Sequence, residues 1–480
     1  MALVGLIGVF CFIVIFILFK FFNPIVVLFF GIIVLLCILA LKSSSHGVLA
    51  IMLVLPFIDF FKRALFIFDV NATEYFLVKS LPDLIPILML VHLFGSREHR
   101  VIRTKLDQFV LFYIIWVFAE AFNPGVPLIV GMGGIHLYIM PLLVYFYAKD
   151  LALHSDNIQK VFYIILGTAV ITVLYGYYHA FFGMTSFEQK WVTSEMVGPN
   201  KEHMITIRGY LRAFSTFTSH KEFGFSLAVT AIVLLYSPVK LNSLVRALSV
   251  VMISVALAYT FHRASLVVLL VGIVTYYFYR ERRSLMTRLI SIGVLISPLF
   301  VWAIGSILSQ FRFRSGNLFI AALLNTGTFE ARTSGIESAL RNPGEWFNPF
   351  GHGIGSIFIG RRIANITSGI RVPHNGYLEM LWEIGLFGTV IFVVVVILIF
   401  MLYQRMSQID LSEADRRTVN LSAGIITGIL LTHGMINSFT QMYHTAVYFW
   451  LFLGMTTGIA DRYTLHQYKA PDNDNKLNPD

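Results

Sequence analysis

The stretch Pro373-His374-Asn375-Gly376-Tyr377-Leu378-Glu379-Met380-Leu381-Trp382-Glu383-Ile384-Gly385-Leu386-Phe387-Gly388 lies where a long polar segment ends and an apolar run begins. His374 stands at the entrance of this run, and Glu379 and Glu383 follow at i,i+4 spacing, on one face of a helix. Ionisable side chains inside a membrane are costly unless they are paired or have a function. The stretch therefore predicts a membrane helix whose entrance carries a functional histidine.

The composition around this stretch is that of a polytopic membrane protein. Of the 480 residues, 57% are hydrophobic and 13% are charged, whereas soluble domains are about 25% charged. The net charge of +10 would suggest nucleic-acid binding in a soluble protein, but here the basic residues cluster in short loops between apolar runs. Cys11 and Cys37 both lie inside apolar runs, which indicates reduced packing residues and excludes a zinc site made of cysteines alone.

Many apolar runs are long enough to cross a bilayer, which takes about 20 residues. They lie at 2–19, 24–41, 48–68, 75–95, 107–124, 128–148, 160–182, 222–237, 246–261, 263–279, 286–308, 377–403, 417–438 and 443–460. Since one or two of these runs could be re-entrant or merged, we expect an all-α protein with about 11–14 transmembrane helices. No basic residue precedes the first run and no small-residue cleavage site follows it, so we interpret it as a retained helix.

Basic residues indicate the orientation of the chain. They concentrate in loops 96–105, 279–288 and 403–417 and in the tail from Arg462, which the positive-inside rule places in the cytoplasm together with both termini. Lys62 and Arg63 then fall on the outer side, so either they are embedded in the protein or an early helix is miscounted.

The same pattern divides the chain into five regions. They are N-terminal transmembrane helices (1–183), an outer loop with central helices and arginine-bearing junctions (184–309), a large outer loop (310–376), three C-terminal helices (377–460) and a cytoplasmic tail (461–480). Within the large loop, a short helix is predicted over 328–340, and Asn342-Pro343-Gly344 would end it. Gly351-His352-Gly353-Ile354-Gly355 predicts a turn whose backbone N–H groups could approach a ligand closely.

Arginines accumulate on the predicted outer face, although the positive-inside rule predicts few basic residues there. Arg208 and Arg212 precede one apolar run, Arg263 follows His262 between two others, and Arg332 lies in the large loop. One interpretation is that such arginines hold lipid headgroups and that the histidine bonds to backbone. The other is a polyanion site, because several guanidinium groups can hold a pyrophosphate without a metal while a histidine accepts a proton.

These motifs, in this order, resemble the O-antigen ligase and polymerase superfamily of bacterial envelope glycosyltransferases. The motifs that carry the resemblance span roughly residues 200–400. They are Arg212-Ala213-Phe214, Thr260-Phe261-His262-Arg263-Ala264-Ser265, Glu330-Ala331-Arg332, Asn348-Pro349-Phe350-Gly351-His352-Gly353-Ile354-Gly355, and His374-Asn375-Gly376-Tyr377-Leu378 with Glu383-Ile384-Gly385-Leu386-Phe387-Gly388.

The resemblance implies a GT-C-like glycosyltransferase of the bacterial inner membrane with its active site in the periplasm. It implies an undecaprenyl-pyrophosphate-linked oligosaccharide as donor, an inverting transfer without metal or cofactor, and envelope assembly proteins such as a chain-length regulator as partners. His374 would be the catalytic base. Arg263 and Arg212 would bind the donor pyrophosphate, with Arg332 a further contact and Arg208 competing with Arg212 for its role.

Other residues of the same motifs would support the site. They are Asn375, Tyr377, Glu379, His262 and Gly353. The length of the chain and its many helices favour a polymerase of exopolysaccharide or O-antigen repeats over a ligase that acts on lipid A core. A transporter or flippase of lipid-linked oligosaccharide is the alternative from a different class. It predicts charged residues near helix midpoints and broken helices in matching repeats.

Overall fold

The computed structural model describes residues 23–68, 70–95, 102–194, 206–207, 210–280, 337, 339–357, 375–433 and 442–469. Their α-helices are α1 (Pro24–Ala40), α2 (Ser44–Val54), α3 (Ile58–Ala64), α4 (Ala72–Ser80), α5 (Leu84–Gly95), α6 (Lys105–Glu120), α7 (Leu128–Leu151), α8 (Ser155–Phe182), α9 (Ser186–Thr193), α10 (His220–Tyr236), α11 (Ser243–Tyr259), α12 (Arg263–Arg280), α13 (Pro343–Trp346), α14 (Gly376–Met406), α15 (Glu413–His433) and α16 (Tyr443–Lys469). Strands β1 (Thr206–Ile207) and β2 (Tyr210–Leu211) form a small antiparallel hairpin that pairs Thr206 with Leu211 and Ile207 with Tyr210.

The helical membrane fold predicted from the sequence is confirmed in the described residues. Helices α7, α8, α12 and α14 are each long and apolar enough to cross a membrane. Helices α1 and α11 are apolar but shorter, at 17 residues each. The predicted runs 2–19 and 286–308 lie outside the described residues, and so does most of the short helix expected over 328–340.

Two of the predicted spans are divided into shorter helices by 3₁₀ turns. The run 48–68 is divided between α2 and α3 by a 3₁₀ turn at Leu55–Phe57, and the run 75–95 is divided between α4 and α5 by another at Leu81–Asp83. Each turn contains a proline, Pro56 or Pro82, which lacks the backbone N–H that a helix interior requires and clashes with the preceding turn. The charged residues of both runs thus belong to short, broken segments.

Glycines bring two pairs of helices into close contact. Gly454 and Gly458 of α16 lie directly against the backbone carbonyls of Tyr145 and Lys149 on α7. In the same way, Gly424 of α15 lies against the backbone of Gly272 on α12. Small residues four apart allow membrane helices to approach closely, because no side chain separates the backbones. These glycines therefore let α16 pack closely against α7, and α15 against α12.

A break in α14 anchors the segment that carries the glycine-rich turn. Gly385 has φ 69° and ψ −177°, so the helix changes direction there. The N–H groups of Leu386 and Phe387, freed by the break, donate to the carbonyl oxygens of Asn348 (3.0 Å) and Pro349 (3.2 Å). Gly351 and Gly385 face each other so closely that a Cβ on Gly351 would lie 2.5 Å from the Gly385 nitrogen. The segment 348–352 therefore docks onto α14 two turns below its start.

Candidate functional site

Arg212 lies in a buried loop between β2 and α10. Its side chain is partly buried, and its Nη1 donates to Nε2 of His220 at 3.0 Å. Its Nε is buried without a hydrogen-bond partner, and no carboxylate pairs with it among the described residues. Burial lowers the pKa of the Arg212 guanidinium, and the charge of Arg263 lowers it further. A buried guanidinium next to a like charge, with no acidic partner, has the electrostatics of an anion site.

Arg263 opens α12 after a connection of only three residues from α11. The backbone of Phe261 in this connection is left-handed, with φ 51°. The N–H of Ala213 donates to the carbonyl of Tyr259 at 3.0 Å, and the rings of Tyr210 and Phe261 are 6.1 Å apart. The two arginine-bearing segments are therefore joined by backbone and ring contacts, which places both guanidinium groups in one region.

Two histidines lie beside these arginines. Because Arg212 donates to Nε2 of His220, that nitrogen must accept, so His220 is a neutral imidazole with its proton on Nδ1. The His220 and His262 rings are 5.9 Å apart, and Nδ1 of His262 is 2.7 Å from the hydroxyl of Ser265. His262 was predicted to support the site, and the structure shows it bonded to the first turn of α12. His220 was not selected from the sequence, although it stands eight residues after Arg212.

The start of α14 confirms that a helix begins immediately after His374, which itself lies outside the described residues. Asn375 caps the helix, since its side-chain oxygen accepts from the N–H groups of Tyr377 (3.1 Å) and Leu378 (3.3 Å). The Tyr377 hydroxyl donates to the Leu430 carbonyl at 3.0 Å, which ties this end of α14 to α15. Glu379 is fully buried in the first turn, where a carboxylate also interacts favourably with the helix dipole.

Two other residues of the predicted motifs have structural contacts. Glu383 is fully buried and accepts from the Tyr138 hydroxyl (2.6 Å) and the Ile357 N–H (3.1 Å), so it joins α14 to α7 and to the glycine-rich segment. Gly353 has φ 83°, and a Cβ there would lie 2.6 Å from Val126. The positive φ and the close contact with Val126 are sufficient reasons for a glycine at this position, and no ligand contact is needed to explain it. Arg208 and Arg332 lie outside the described residues.

Lys62 and Arg63, whose place the sequence left open, are embedded in the protein. Arg63 is completely buried, and Nζ of Lys62 is 2.6 Å from Oδ1 of Asp59. Asp59 also accepts from the N–H of Thr218 (3.0 Å), and His444 lies 3.1 Å from Glu222. Sequence reasoning missed this cluster because its members come from α3, α10 and α16, which no local pattern connects.

Asp59, Glu222 and His444 are ligand types that could hold a metal, and their candidate atoms all lie within 4.8 Å of one another. Nε2 of His444 is 2.8 Å from the Leu55 carbonyl, and Nδ1 is 3.1 Å from Glu222, so both ring nitrogens face acceptors. Satisfying both requires the imidazolium. With Lys62, the two cations then balance the two carboxylates, so the geometry fits an ion network better than a metal centre.

A second histidine–carboxylate pair lies where α7 passes the break between α4 and α5. Nδ1 of His136 is 2.7 Å from Oδ2 of Asp83, and the His136 ring stacks on Tyr443 with centroids 4.8 Å apart. This pair was also not selected from the sequence. It shows that partly buried ionisable groups lie along the broken segments as well as at helix ends.

The described residues define a helical, polytopic membrane protein in which two helix junctions bring a pair of arginines together beside histidines. Residues 248–393 match the model of the family described as O-antigen ligase. The match confirms the resemblance to the O-antigen ligase and polymerase superfamily and supports a membrane function of that type. It covers less than half of the chain and includes Arg263, Arg332 and His374, while Arg208 and Arg212 precede it. No curated protein sequence matches the chain.

Proposed function

We propose that this protein is a glycosyltransferase of the bacterial inner membrane that transfers a glycan from undecaprenyl pyrophosphate to a sugar hydroxyl at the periplasmic face. The observation that carries the proposal is that the loop of Arg212 is bonded to the junction that presents Arg263. Arg212 has no acidic partner among the described residues. A pyrophosphate supplies the missing negative charge, and arginine binds its oxygens through two parallel hydrogen bonds.

The reaction that we propose is a single inverting displacement, as the family resemblance implies. The acceptor hydroxyl gives its proton to His374, and its oxygen forms a bond to the anomeric carbon of the donor. The bond from that carbon to the pyrophosphate oxygen breaks, and undecaprenyl pyrophosphate leaves with the electron pair. Arg212 and Arg263 stabilise the charge that develops on the leaving oxygen, while Arg208 and Arg332 are proposed as further contacts. No step of this scheme needs a metal or cofactor.

The proposed topology completes this scheme. It has about 11–14 spans in a GT-C-like arrangement, both termini in the cytoplasm and the 310–376 loop in the periplasm. Asn375, Tyr377 and Glu379 support the start of α14, where Asn375 caps the helix directly after His374.

We favour a polymerase, which moves the growing glycan onto the next lipid-linked repeat unit of an exopolysaccharide or O-antigen. A ligase would instead transfer the finished glycan to lipid A core. Incubation of the purified protein with one lipid-linked repeat separates the two, because a polymerase lengthens the chains and a ligase modifies only the added core acceptor. Failure to lengthen any repeat while core is glycosylated would establish the ligase.

The discontinuous segments favour a second candidate, a transporter of lipid-linked oligosaccharide. Broken helices and ionisable groups among the helices are features of transporters, and the structure has a broken segment beside Asp59 and another at Asp83. In proteoliposomes a transporter moves labelled lipid-linked oligosaccharide between leaflets without forming new glycosidic bonds. A glycosyltransferase instead forms polymer while the distribution between leaflets stays unchanged.

The test of the proposed enzyme is His374→Ala in a purified assay with lipid-linked donor and acceptor. We expect product formation to fall by about 10²-fold or more, since general-base catalysis contributes at least that factor. Unchanged size-exclusion elution and thermal stability of the variant would show that the fold persists. Wild-type product levels from this variant would refute the role of His374, and loss of activity on adding a chelator would refute the metal-free mechanism.

A further inference from the structure

Ser215 is the most constrained residue of the loop that carries Arg212. Its backbone is left-handed, with φ 52°, a conformation that a residue other than glycine rarely adopts. It is completely buried. Its N–H donates to Nδ1 of His179 at 3.1 Å, and its hydroxyl donates to the Thr172 carbonyl at 2.5 Å. Its own carbonyl accepts from Nη2 of Arg63 at 2.5 Å.

Arg63 reaches this carbonyl from α3 and has no exposure to solvent. Its Nη1 forms an ion pair with Oε1 of Glu188 at 2.7 Å. Its guanidinium lies 4.8 Å from the Phe214 ring centroid and 5.7 Å from that of Trp191. The Arg63 guanidinium thus contacts the loop at two places, the backbone carbonyl of Ser215 and the ring of Phe214.

Glu188 and His179 complete the arrangement from α9 and α8. Nε2 of His179 is 3.0 Å from Oε2 of Glu188, while Nδ1 receives the Ser215 N–H. Since Nδ1 accepts, the proton of the neutral ring is on Nε2 and is donated to Glu188. Both polar groups of the Ser215 backbone are therefore bonded to side chains that Glu188 orients.

On its other side the loop is tied to the second arginine. Ala213 N–H donates to the Tyr259 carbonyl at 3.0 Å, four residues before Arg263. The residues between Arg212 and Ser215 consequently connect a buried ionic network to the junction that presents Arg263.

We infer that Arg63, Glu188 and His179 form a positioning network that holds Ser215 in its left-handed conformation and thereby keeps the Arg212 guanidinium beside that of Arg263, ready to bind a pyrophosphate. The two like charges repel, so a loop free to relax would separate them. A rigid loop removes that freedom before the anion arrives, and preorganisation of this kind increases affinity. The inference rests on the proposed function and assigns to it three further residues, of which Arg63 lies 152 positions before Ser215 in the sequence.

The experiment replaces the network without leaving a buried charge unpaired. In the full chain in nanodiscs, Arg63→Met combined with Glu188→Gln removes the ion pair and the bond to the Ser215 carbonyl while keeping the net charge. Binding of inorganic pyrophosphate is measured by calorimetry. We expect the dissociation constant to rise by about tenfold or more. Should the double variant fail to fold, Arg63→Lys is the alternative, because it keeps a positive charge to pair with Glu188 and loses the planar guanidinium. We expect this variant to weaken pyrophosphate binding by about threefold or more.

A second substitution separates positioning from general stabilisation. Ser215→Gly relieves the left-handed strain, whereas Ser215→Ala loses the same hydroxyl and keeps the Cβ. In the background with the disrupted network, we expect glycine to restore pyrophosphate affinity by about threefold or more relative to alanine. In the wild-type background the two variants should differ little in affinity, because the network already holds the conformation.

The control is Lys149→Met, which disrupts another buried ion cluster, with Asp107 (2.6 Å) and Asp461 (3.0 Å). Lys149 lies near the end of α7, about four turns beyond Gly134, which packs against Ile354. It should lower thermal stability and leave pyrophosphate binding unchanged. Wild-type affinity in the Arg63 variants, or equal affinity of the glycine and alanine variants in the disrupted background, would overturn the inference. If wild-type protein does not bind pyrophosphate, or Arg212→Ala does not weaken binding, the proposed function fails instead.

Discussion

At the scale of single residues, backbone strain lies next to both arginines of the proposed anion site. Ser215 and Phe261 are the two residues other than glycine with positive φ in the described chain, and they lie within three residues of Arg212 and Arg263. Such conformations cost on the order of 1–3 kcal/mol each and persist only where surrounding contacts enforce them. Their position indicates that packing energy is used to present these two guanidinium groups.

The shape of the guanidinium should matter as much as its charge. Arg263→Lys and Arg212→Lys keep the positive charge and lose the planar fork, so we expect each to lower the rate of glycan transfer by about tenfold or more. Rates are measured on purified protein with lipid-linked donor. Arg417→Lys is the control, because Arg417 is half-exposed and pairs with Glu413 on the surface of α15. Full activity of both lysine variants would show that charge alone suffices.

The titration of Glu188 should appear in the pH dependence of stability. Burial would raise the pKa of this carboxyl, but the hydrogen bond from His179 and the charge of Arg63 outweigh it and lower the pKa to about 2. A carboxyl whose pKa is lower in the folded state stabilises the fold above its unfolded pKa of about 4.3. That stabilisation, on the order of 3 kcal/mol, is lost as the pH falls from about 4.3 towards 2.

The measurement compares thermal unfolding of the wild type and Glu188→Gln from pH 7 to pH 3. Above about pH 5 the wild type should be more stable by a constant margin, and the margin should shrink below about pH 4.3 because glutamine does not titrate. A margin that stays constant down to pH 3 would contradict a low pKa for Glu188.

At the scale of elements, broken helices determine where the functional segments lie. Hydropathy predicted most of the helices, because a run of about 20 apolar residues has few alternatives in a membrane. It could not predict the contacts at Gly385, where the freed N–H groups of Leu386 and Phe387 bond to residues about 38 positions earlier. Such non-local partners leave no periodic pattern in the sequence. The docking holds the short segment Gly376–Ile384, which begins beside His374, at a fixed angle.

A side chain at Gly385 should disturb this docking. Gly385→Ala adds a Cβ 2.5 Å from the Pro349 carbonyl oxygen at a position with φ 69°, so we expect a loss of stability of about 1–3 kcal/mol and a marked loss of transfer activity. Gly167→Ala in α8 is the matched control, because its Cβ would meet no atom within 4 Å. Thermal unfolding and activity assays check both. Wild-type values for Gly385→Ala would show that the break does not depend on glycine.

At the scale of the molecule, the class of protein was predicted from the sequence, and family motifs selected both Arg212 and Arg263 as candidate site residues. The network that supports Arg212 came only from the structure. The arginines were visible because they interrupt apolar runs, as Arg263 does between α11 and α12. Arg63 was visible only as an apparent violation of the positive-inside rule. Its complete burial resolves the violation, because a basic residue paired with Glu188 inside the protein does not control topology.

The orientation of the whole molecule can be tested by labelling introduced cysteines. In a background with Cys11 and Cys37 replaced, Glu345→Cys lies on an exposed part of the large loop and Asp410→Cys lies in the exposed connection between α14 and α15. Because basic residues concentrate in the 403–417 connection, we expect a membrane-impermeant maleimide added to intact spheroplasts to label position 345 only. Permeabilised cells should label both positions. Labelling of position 410 alone in intact spheroplasts would place the arginine pair on the cytoplasmic face, where a periplasmic glycan could not reach it. That outcome would refute both the proposed topology and the proposed reaction.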